Sequence, residues 1–435
     1  MSNTINTSEL RVGMFIHLDL GWMSHPFPLS SFKILSPEQI EVIRGLGKKT
    51  VRWVPEKSDS IDTGTLAHEG GGRALAVAAA SAARPAETTA QAAARERREQ
   101  LARQREATQL CEAQYGEAGE AWRQAFDNVG QRPEKAHKDT ERLARALLDK
   151  MIGQGEMCIR MLNTASGDRA TAHAMNVAVI SMLMGRSFGL GEAEMNDLGV
   201  GALMHDVGKL DLPERVRHHD ERFSETETEH YREHVALGVA QARRMGMSAG
   251  AMLVLAQHHE CADGSGFPLK LAGDRTTAAA RIVALVNRFD NLCNPAVLAR
   301  ALTPHEALST MFAQGRSKFD STILNAFIRM MGVYPAGSVV QLTDDRFGMV
   351  VSVNSSRPLK PRVMVHDVKV PRDEALHLDL ESTPDLGIRR SIRAAQLPQA
   401  AMEYLAPRPR LAYFFEAAAP ALEAKSQPQP EGVLA

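Results

Sequence analysis

The sequence predicts a mainly α-helical protein with a small N-terminal α+β domain and a small C-terminal β appendage. Apolar residues recur at intervals of three and four from Pro133 to Met331, with few β-branched alternations, which is the pattern of packed helices. Short alternating segments flank this stretch on both sides. A chain of 435 residues is also too long for one compact core. The predicted units are residues 1–57, 58–94, 95–332, 333–416 and 417–435.

The N-terminal domain is predicted to contain strands and one helix. Ser36 supplies an N-cap, Pro37 occupies the first helical position, and Gln39 completes a capping box. Two glycines then end the helix. Residues 51–54 alternate in the manner of a strand, so this domain combines both kinds of element.

A linker is predicted for residues 58–94, where the composition falls to Ala, Gly, Thr and Ser with one proline at Pro85. Such a segment cannot bury enough apolar surface to offset its ordering entropy. Residues 95–106 are rich in charge and in helix formers. They predict a solvated helix that leads into the helical domain, in preference to a nucleic-acid patch.

The C-terminal appendage is predicted from three short apolar segments that Asp, Asn and Pro turns separate. These segments are residues 338–342, 348–353 and 362–366, each of strand length. From Ala417 the chain is rich in Ala, Pro and Gln, which predicts a disordered tail.

The composition limits the function. The formal net charge of -1 argues against a general nucleic-acid binder, for which a basic face is expected. The four cysteines lack CxxC spacing, so neither a zinc knuckle nor a disulfide framework is indicated, and a reduced, cytoplasmic setting is expected. No export signal or membrane anchoring is expected, because no segment has the required apolar length.

The most informative segment carries four histidines and an aspartate: His205, Asp206, His234, His258 and His259. Imidazole nitrogen and carboxylate oxygen suit Fe, Mn, Zn and Ni, and a carboxylate can also bridge two ions. The pattern therefore predicts a polynuclear metal centre.

A lone histidine on a helix is more often a core or surface residue than a ligand. That interpretation weakens here, because four histidines and an aspartate would all have to be incidental within one short segment. Upstream, His173 lies in a helical pattern with Ala172 and Met175, and adds a sixth candidate ligand.

The string His-Asp-x-Gly-Lys, a later His, then His-His-Glu and Asp-Gly-x-Gly-Phe-Pro resembles the HD-GYP family, a branch of the HD hydrolases. The resemblance covers about residues 150–335. It implies an all-helical HD-type metal hydrolase domain that hydrolyses cyclic di-GMP with a di- or tri-metal centre, often of iron or manganese. The N-terminal unit, with Gly13-Met14 and Leu18-Asp19 before Trp22 and Pro26-Phe27, resembles the domain of unknown function that often precedes HD-GYP domains.

The resemblance implies a role for each matching position. The implied metal ligands are His173, His205, Asp206, His234, His258 and His259, with Asp206 bridging two ions. Asp206 and Lys209 are the implied catalytic residues. Lys209 follows His205 by four positions, so on a helix it faces the same side and can neutralise a non-bridging phosphate oxygen. Two divalent ions would activate water, so no separate side-chain base is required.

The loop of Asp263, Gly264, Gly266, Phe267 and Pro268 is implied to lie beside the metals and bind substrate, together with Lys209. The two glycines let backbone approach a ligand closely, although a tight turn explains them equally well. Phe267 replaces the tyrosine that gives the family its name, and it keeps the ring without the hydroxyl.

Several positions depart from the family pattern. Asn287 stands where a ligand carboxylate belongs, and as a neutral amide it is expected to lower metal affinity. Asp290 is retained and is expected to contact a neighbouring ligand. Arg169 replaces the glutamate of trinuclear members, so two metals are expected. Residues 219–221 and 294–295 lack family residues that carry positive charge.

The leading hypothesis is a metal-dependent phosphodiesterase that converts cyclic di-GMP to a linear dinucleotide or GMP. Asn287 favours the alternative of a catalytically degenerate domain that acts as a cyclic dinucleotide sensor or a protein-interaction module. A third option, hydrolysis of another phosphate ester, is disfavoured by the loop at residues 263–268. The N-terminal domain is the expected site for a regulatory input or a protein partner.

Overall fold

The computed structural model describes residues 3–25, 27, 31–59, 88–152, 156–162, 168–220 and 222–417. Within these residues the protein is mainly helical, with two β-sheets, which confirms the predicted fold class. Most of the predicted linker, residues 60–87, lies outside the described residues. So do residues 418–435 of the predicted tail.

The helices of the described residues are α1 (Pro37–Gly45), α2 (Thr89–Asp127), α3 (Pro133–Ile152), α4 (Arg169–Ser187), α5 (Glu192–Met204), α6 (Glu225–Met245), α7 (Ala249–Gln257), α8 (Ala278–Cys293), α9 (Pro304–Gln314), α10 (Ser321–Met331) and α11 (Gln399–Leu405). The strands are β1 (Asn3–Asn6), β2 (Phe15–His17), β3 (Ser31–Lys33), β4 (Thr50–Trp53), β5 (Met157–Met161), β6 (Val339–Leu342), β7 (Phe347–Asn354), β8 (Arg362–Val365), β9 (Leu378–Asp379), β10 (Ile388–Ile392) and β11 (Tyr413–Ala417).

The N-terminal unit is a four-stranded antiparallel sheet in the order β1-β4-β2-β3, with α1 as its helix. Ile16, Ile34, Ile43 and Val51 are buried in its own small core. These apolar side chains come from both the sheet and the helix, so the unit has a hydrophobic cluster separate from that of the helical region.

The start of α1 is as predicted, but its capping box is wrong. The side chain of Ser36 makes no capping hydrogen bond. Oε1 of Gln39 instead accepts a hydrogen bond from the backbone N–H of Leu35 at 2.7 Å, one residue beyond the predicted partner. The glutamine therefore fixes the chain that enters the helix.

Helix α2 begins inside the predicted linker. Thr88 and Gln91 form a reciprocal capping box at its start, so residues 89–94 are helical. The first half of the helix is largely exposed, as expected for a solvated helix. Its second half buries Tyr115 and Trp122 against the helical core.

Helix α4 lies at the centre of the helical region and packs against α5 and α8. Its residues 174–185 are all buried, because small and apolar side chains occur around the whole helix. This placement holds His173, in the first turn and a half of α4, against the ends of the neighbouring helices.

The second sheet is not confined to the C-terminal segment. Strand β5, which lies in the segment predicted to be all-helical, pairs with β7 and with β11. All five residues of β5 are buried, so the strand has no alternation of buried and exposed positions. Periodicity alone could therefore not distinguish it from a helix. Ala417, predicted as the first tail residue, is the last residue of β11. The sheet and the helices share one hydrophobic core.

The helix that carries the His-Asp pair ends before Lys209, which was expected to lie on the same helix as His205. His205 is the C-cap of α5, and residues Val207–Asp211 form a 3₁₀ helix. A Cβ atom on Gly208 would lie 2.0 Å from the carbonyl oxygen of His234 and 2.3 Å from the nitrogen of Gly238. The glycine therefore lets the 3₁₀ helix contact the backbone of α6 directly, which brings His234 close to the pair. No helix among the described residues is both long and apolar enough to cross a membrane.

Candidate metal centre

Four helices bring the six predicted metal ligands together. His173 lies on α4, and His205 with Asp206 follows the end of α5. His234 lies on α6. His258 and His259 follow the end of α7. The ends of α5 and α7 each supply two ligands that are adjacent in the sequence. Because the helix stops there, both side chains of each pair can point toward a common space.

Three of the histidines are held in the same way. Each Nδ1 atom contacts the backbone carbonyl three residues earlier, at 2.5 to 2.8 Å. The pairs are His205 with Ala202, His234 with Tyr231, and His258 with Leu255. An Nδ1–H that donates to a carbonyl leaves the lone pair on Nε2, which is the atom aimed at the cluster. The backbone thus selects the tautomer that can bind a metal.

The carboxylate of Asp206 lies between two groups of imidazoles. Its Oδ2 atom is 3.5 Å from Nε2 of His173 and 3.5 Å from Nε2 of His205. Its Oδ1 atom is 3.7 Å from Nε2 of His234 and 3.9 Å from Nε2 of His258. Each oxygen therefore faces a different pair of nitrogen donors.

These contacts define two donor groups that share one residue. In each group, one donor atom per residue lies within 4.8 Å of all the others. The first group is His173, His205 and Asp206, and the second is Asp206, His234, His258 and His259. Imidazole nitrogen and carboxylate oxygen in this proportion fit a divalent transition metal.

Two polar atoms of the cluster test this fit. Oδ1 of Asp206 and Nε2 of His259 are buried and have no hydrogen-bond partner in the described structure. A buried polar atom without a partner costs free energy, so such atoms are rare unless an ion or ligand contacts them. Both belong to the second donor group, and a bound cation would satisfy both.

A carboxylate orients the imidazole of His173 through the ring nitrogen that faces away from the cluster. Nδ1 of His173 lies 2.6 Å from Oδ2 of Asp290. The other oxygen of Asp290 accepts hydrogen bonds from the amides of Asn176 at 2.7 Å and Asn294 at 2.8 Å. Both amides also donate to the carbonyl of Leu411, so the segment before β11 takes part in this network.

Lys209 pairs with the shared carboxylate. Its Nζ atom lies 2.5 Å from Oδ2 of Asp206 and 5.5 Å from the ring centre of Tyr231. It follows Asp206 by three positions in a 3₁₀ helix, so it faces the cluster through a tighter turn than the predicted α-helix. The site thus keeps a cation beside the anion that separates the two imidazole groups.

Burial and local charge set the protonation of the cluster. Burial lowers the pKa of His205 to about 4, and that of His234 and His258 to about 3. These rings are therefore neutral at pH 7 and available as ligands. Burial also acts to lower the pKa of His173, but hydrogen bonds to Asp206 and Asp290 outweigh it and raise that pKa to about 8.

Asp206 remains ionised despite its burial. Burial alone would raise the pKa of its carboxyl group. The charge of Lys209, the interaction with His205 and the hydrogen bond from His173 act in the opposite direction and hold the pKa well below its usual value.

The loop at residues 263–268 is explained by its own geometry. Gly264 has a φ of +74°, and a Cβ on Gly266 would lie 2.5 Å from the backbone of residues 259–261. Oδ1 of Asp263, an exposed residue, accepts from the backbone N–H of Ser265 at 3.0 Å. A tight turn therefore accounts for both glycines without a ligand.

Phe267 and Pro268 complete this loop, and the peptide bond between them is cis. The ring of Phe267 stacks on the imidazole of His259, with centroids 4.4 Å apart and an angle of 18°. Glu260, for which the sequence indicated no role, accepts hydrogen bonds from the backbone N–H groups of Leu269 and Leu271. It ties the loop to the end of α7.

The positions that depart from the family pattern have different surroundings. Asn287 is buried, and its Oδ1 atom accepts a hydrogen bond from Asn291 at 2.6 Å. Arg169 lines the cleft beside His173, where its Nε atom is buried without a hydrogen-bond partner. Asp220 pairs with Arg222 and Arg300 at the surface. Glu221 lies outside the described residues.

A cleft of about 220 Å³ opens beside His173, His205 and Asp206. Its walls carry both cations and aromatic rings, namely Arg169, Lys209, Arg217, His218, Trp122 and Phe126. A second cleft lies on the other side, at His258 and His259, with Phe267, Arg288 and Lys318 in its walls.

Sequence reasoning missed Trp122, Phe126, Asn176 and Asn294. Asn176 gave no local signal, since its partners Asp290 and Leu411 lie more than a hundred residues away, and Asn294 joins the same network through Leu411. The aromatic pair, spaced four apart in a helical pattern, could have been recognised as a buried face, but nothing in the sequence placed that face beside the histidines.

Comparison with known proteins identifies two regions. Residues 2–140 match the family model of a domain of unknown function, DUF3391, and residues 156–323 match that of the HD domain. The first region includes α2, and the second contains all six candidate ligands.

The chain is also similar to several named phosphodiesterases. The chain is 26% identical over 371 residues to the cyclic di-GMP phosphodiesterase PA4108 of Pseudomonas aeruginosa, which covers 84% of this chain and 85% of that protein. It is 29% identical over 199 residues to the cyclic di-GMP phosphodiesterase response regulator RpfG of Xanthomonas campestris, covering 45% and 48%. It is also 33% identical over 124 residues to the 3'3'-cGAMP-specific phosphodiesterase 2 of Vibrio cholerae, covering 28% and 24%.

Proposed function

Because the chain is a member of the HD-GYP family, we propose that it is a metal-dependent phosphodiesterase that hydrolyses cyclic di-GMP to linear pGpG or GMP. The proposed cofactor is a pair of divalent transition-metal ions, iron or manganese. The proposed setting is bacterial second-messenger signalling in the cytoplasm.

The position of the Asp206 carboxylate carries this proposal. Its two oxygens face two separate groups of imidazole nitrogens, and one oxygen is buried without a partner. A carboxylate so placed is suited to hold two cations together. We assign His173, His205 and Asp206 to one ion, and Asp206, His234, His258 and His259 to the other.

Two bound divalent ions would lower the pKa of a water molecule and stabilise the charge on the phosphoryl oxygens of a diester. The chain contributes the geometry. Three backbone carbonyls fix the imidazole tautomers, and Asp290 fixes the ring of His173. Lys209 supplies a further positive charge, which can pair with a phosphate oxygen when substrate is bound.

The cleft composition supports a phosphodiester that carries nucleobases. Cationic side chains line it next to the cluster, and aromatic rings form part of the same wall. One relative named for cyclic di-GMP matches 84% of the chain, whereas the relatives named for 3'3'-cGAMP match 28% to 39% of it. Cyclic di-GMP is therefore the first substrate to test, and 3'3'-cGAMP the second.

Asn287 is the observation that favours a non-catalytic sensor. Its neutral amide contacts Asn291 and adds no charge to the cluster. All six candidate ligands are nevertheless retained, and they converge. A sensor that performs no chemistry does not require buried imidazole and carboxylate atoms without hydrogen-bond partners. This supports catalysis over the sensor.

The proposal is tested with protein purified without oxygen, stripped of metal and reloaded with Mn²⁺ or Fe²⁺. We expect about two ions per chain, and conversion of cyclic di-GMP to pGpG or GMP that requires the metal. The linear dinucleotide and 3'3'-cGAMP, measured in parallel, define the product and the substrate preference. Fewer than one ion per chain after reloading, or no turnover of either cyclic dinucleotide, would contradict the proposal.

A further inference from the structure

One wall of the cleft beside the cluster comes from outside the HD-domain match. Trp122 and Phe126 lie on α2, within the region that matches the domain of unknown function. They face the same cleft as His173, Asp206 and Lys209. The substrate site we propose is therefore assembled from both regions of the chain.

Trp122 is held in one position in this wall by burial and by a hydrogen bond. Its side chain is 3% exposed, and its Nε1–H donates to the carbonyl of Leu203 at 2.8 Å. Leu203 lies two residues before His205, so the indole is anchored to the end of α5 that carries the His-Asp pair. The hydrogen bond and the burial together leave Trp122 little freedom to move.

Phe126 stacks on this fixed indole. The ring centroids are 4.6 Å apart and the ring planes differ by 25°. Phe126 is only partly buried, and the part that Trp122 does not cover contributes to the cleft. The stacking on Trp122 therefore holds the ring of Phe126 in place beside the cleft.

Cations line the cleft together with this surface. Arg169 and Arg217 both contribute to its walls. The Nε atom of Arg169 is buried and has no hydrogen-bond partner in the described structure, so the fold leaves at least this donor unpaired. A planar guanidinium that lines a cleft is suited to bind phosphate oxygens.

A flat ring, guanidinium groups and a phosphodiester-cleaving centre in one cleft match the parts of a nucleotide. Any nucleobase can stack on an aromatic ring, because every base has a π-face. We propose that Phe126 is the stacking platform for a purine base of the substrate, with Arg169 binding the attached phosphate. The inference deepens the proposed function, on which it rests, and gives α2 a role in substrate binding.

Loss of the ring should weaken binding of the dinucleotide alone, whereas loss of the cation should weaken binding of both the dinucleotide and phosphate. Replacing Phe126 with Leu keeps an apolar side chain against Trp122 but removes the flat ring. We expect the KM for cyclic di-GMP to rise at least about five-fold, with kcat and metal content retained. Phe126→Tyr, which keeps the ring, should stay within about two-fold of wild type.

Inorganic phosphate is the probe without a base. Its inhibition constant should be unchanged in Phe126→Leu, because phosphate contacts only cations and metals. In Arg169→Gln, the inhibition constant for phosphate and the KM for cyclic di-GMP should both rise. Gln124→Ala, an exposed position on the same helix, is the matched control and should behave as wild type.

The outcomes separate this inference from the proposed function. If wild type hydrolyses cyclic di-GMP and Phe126→Leu has an unchanged KM, the platform is absent and the proposed function stands. If Phe126→Leu loses metal and weakens phosphate binding to the same extent as cyclic di-GMP, the ring has only a packing role and the inference fails. If metal-loaded wild type neither hydrolyses nor binds cyclic di-GMP, both proposals fail.

Discussion

Nδ1 of His173 lies 2.6 Å from Oδ2 of Asp290, and both side chains are largely buried. The contact leaves Nε2 of His173 facing Asp206 and His205. Asp290 is itself held by two asparagine amides that also bind the chain before β11. One predicted ligand is therefore oriented by a network that reaches from α4 through α8 to the last strand.

Replacing Asp290 with Asn should weaken metal binding without unfolding the protein. The variant retains the shape of the side chain but removes the charge that supports His173. Loss of such a partner typically costs about 10- to 100-fold in metal affinity. Titration with Mn²⁺ against a chelating indicator measures this. Asp274→Asn, at an exposed position, is the control, and equal affinities in the two variants would contradict the role assigned to Asp290.

Metal affinity should depend on pH through His173. The pKa of His173 in the metal-free protein is about 8, and only the neutral ring can bind a metal. Below pH 8 a proton must leave, so affinity should fall about tenfold for each unit well below that value. Above pH 8 it should level off.

The other imidazoles should not contribute to this dependence. Burial lowers the pKa of His205 to about 4 and that of His234 to about 3, so both are neutral throughout the range from pH 6 to pH 8.5. Mn²⁺ titrations across this range provide the measurement. In Asp290→Asn the pKa of His173 should fall and the slope should shrink, whereas a flat profile in wild type would rule out a protonated His173.

Asn287→Asp should raise metal occupancy and the rate of phosphodiester hydrolysis. The substitution adds a negative charge at the position where the family pattern has a carboxylate. Elemental analysis and turnover of cyclic di-GMP are the two readouts. Asn128→Asp adds the same charge at the end of α2 and serves as the control. Unchanged occupancy and turnover would mean that residue 287 does not contact the metals.

Gly208→Ala should destabilise the fold and the cluster together. The new Cβ would lie 2.0 Å from the backbone oxygen of His234, which cannot retreat as a flexible side chain would. We expect the free energy of unfolding to fall by about 1–3 kcal/mol or more, and metal affinity to fall as well. Gly130→Ala is the control, because a Cβ there meets nothing within 4 Å. Urea unfolding that shows equal losses in both variants would contradict this mechanism.

The metal cluster was predictable from the sequence because a helical core does not otherwise require its residues. His205, Asp206, His234, His258 and His259 are polar residues within apolar helical patterns, and the structure brings all five together. The role of Asp290 as a contact of a ligand was predicted from the family resemblance. These residues carry chemistry that is unusual for the interior of a helical domain.

Long-range contacts were less predictable. Asn294 donates to the carbonyl of Leu411, 117 residues later in the chain, and no local pattern signals such a contact. Strand β5 is too short and too uniformly buried for periodicity to distinguish it from a helix. Phe126 has an ordinary helical spacing, and only the packing of α2 places it beside the cluster.

The most direct test of the metal mechanism compares wild type with Asp206→Ala, using Asp274→Ala as the control. Asp206 is the one residue shared by both donor groups, so its loss should remove metal and lower cyclic di-GMP hydrolysis by several orders of magnitude. Circular dichroism checks that the helical fold remains. A variant that hydrolyses cyclic di-GMP at the wild-type rate would contradict the metal mechanism. A wild type that binds the dinucleotide without turnover would contradict the catalytic function and favour the sensor.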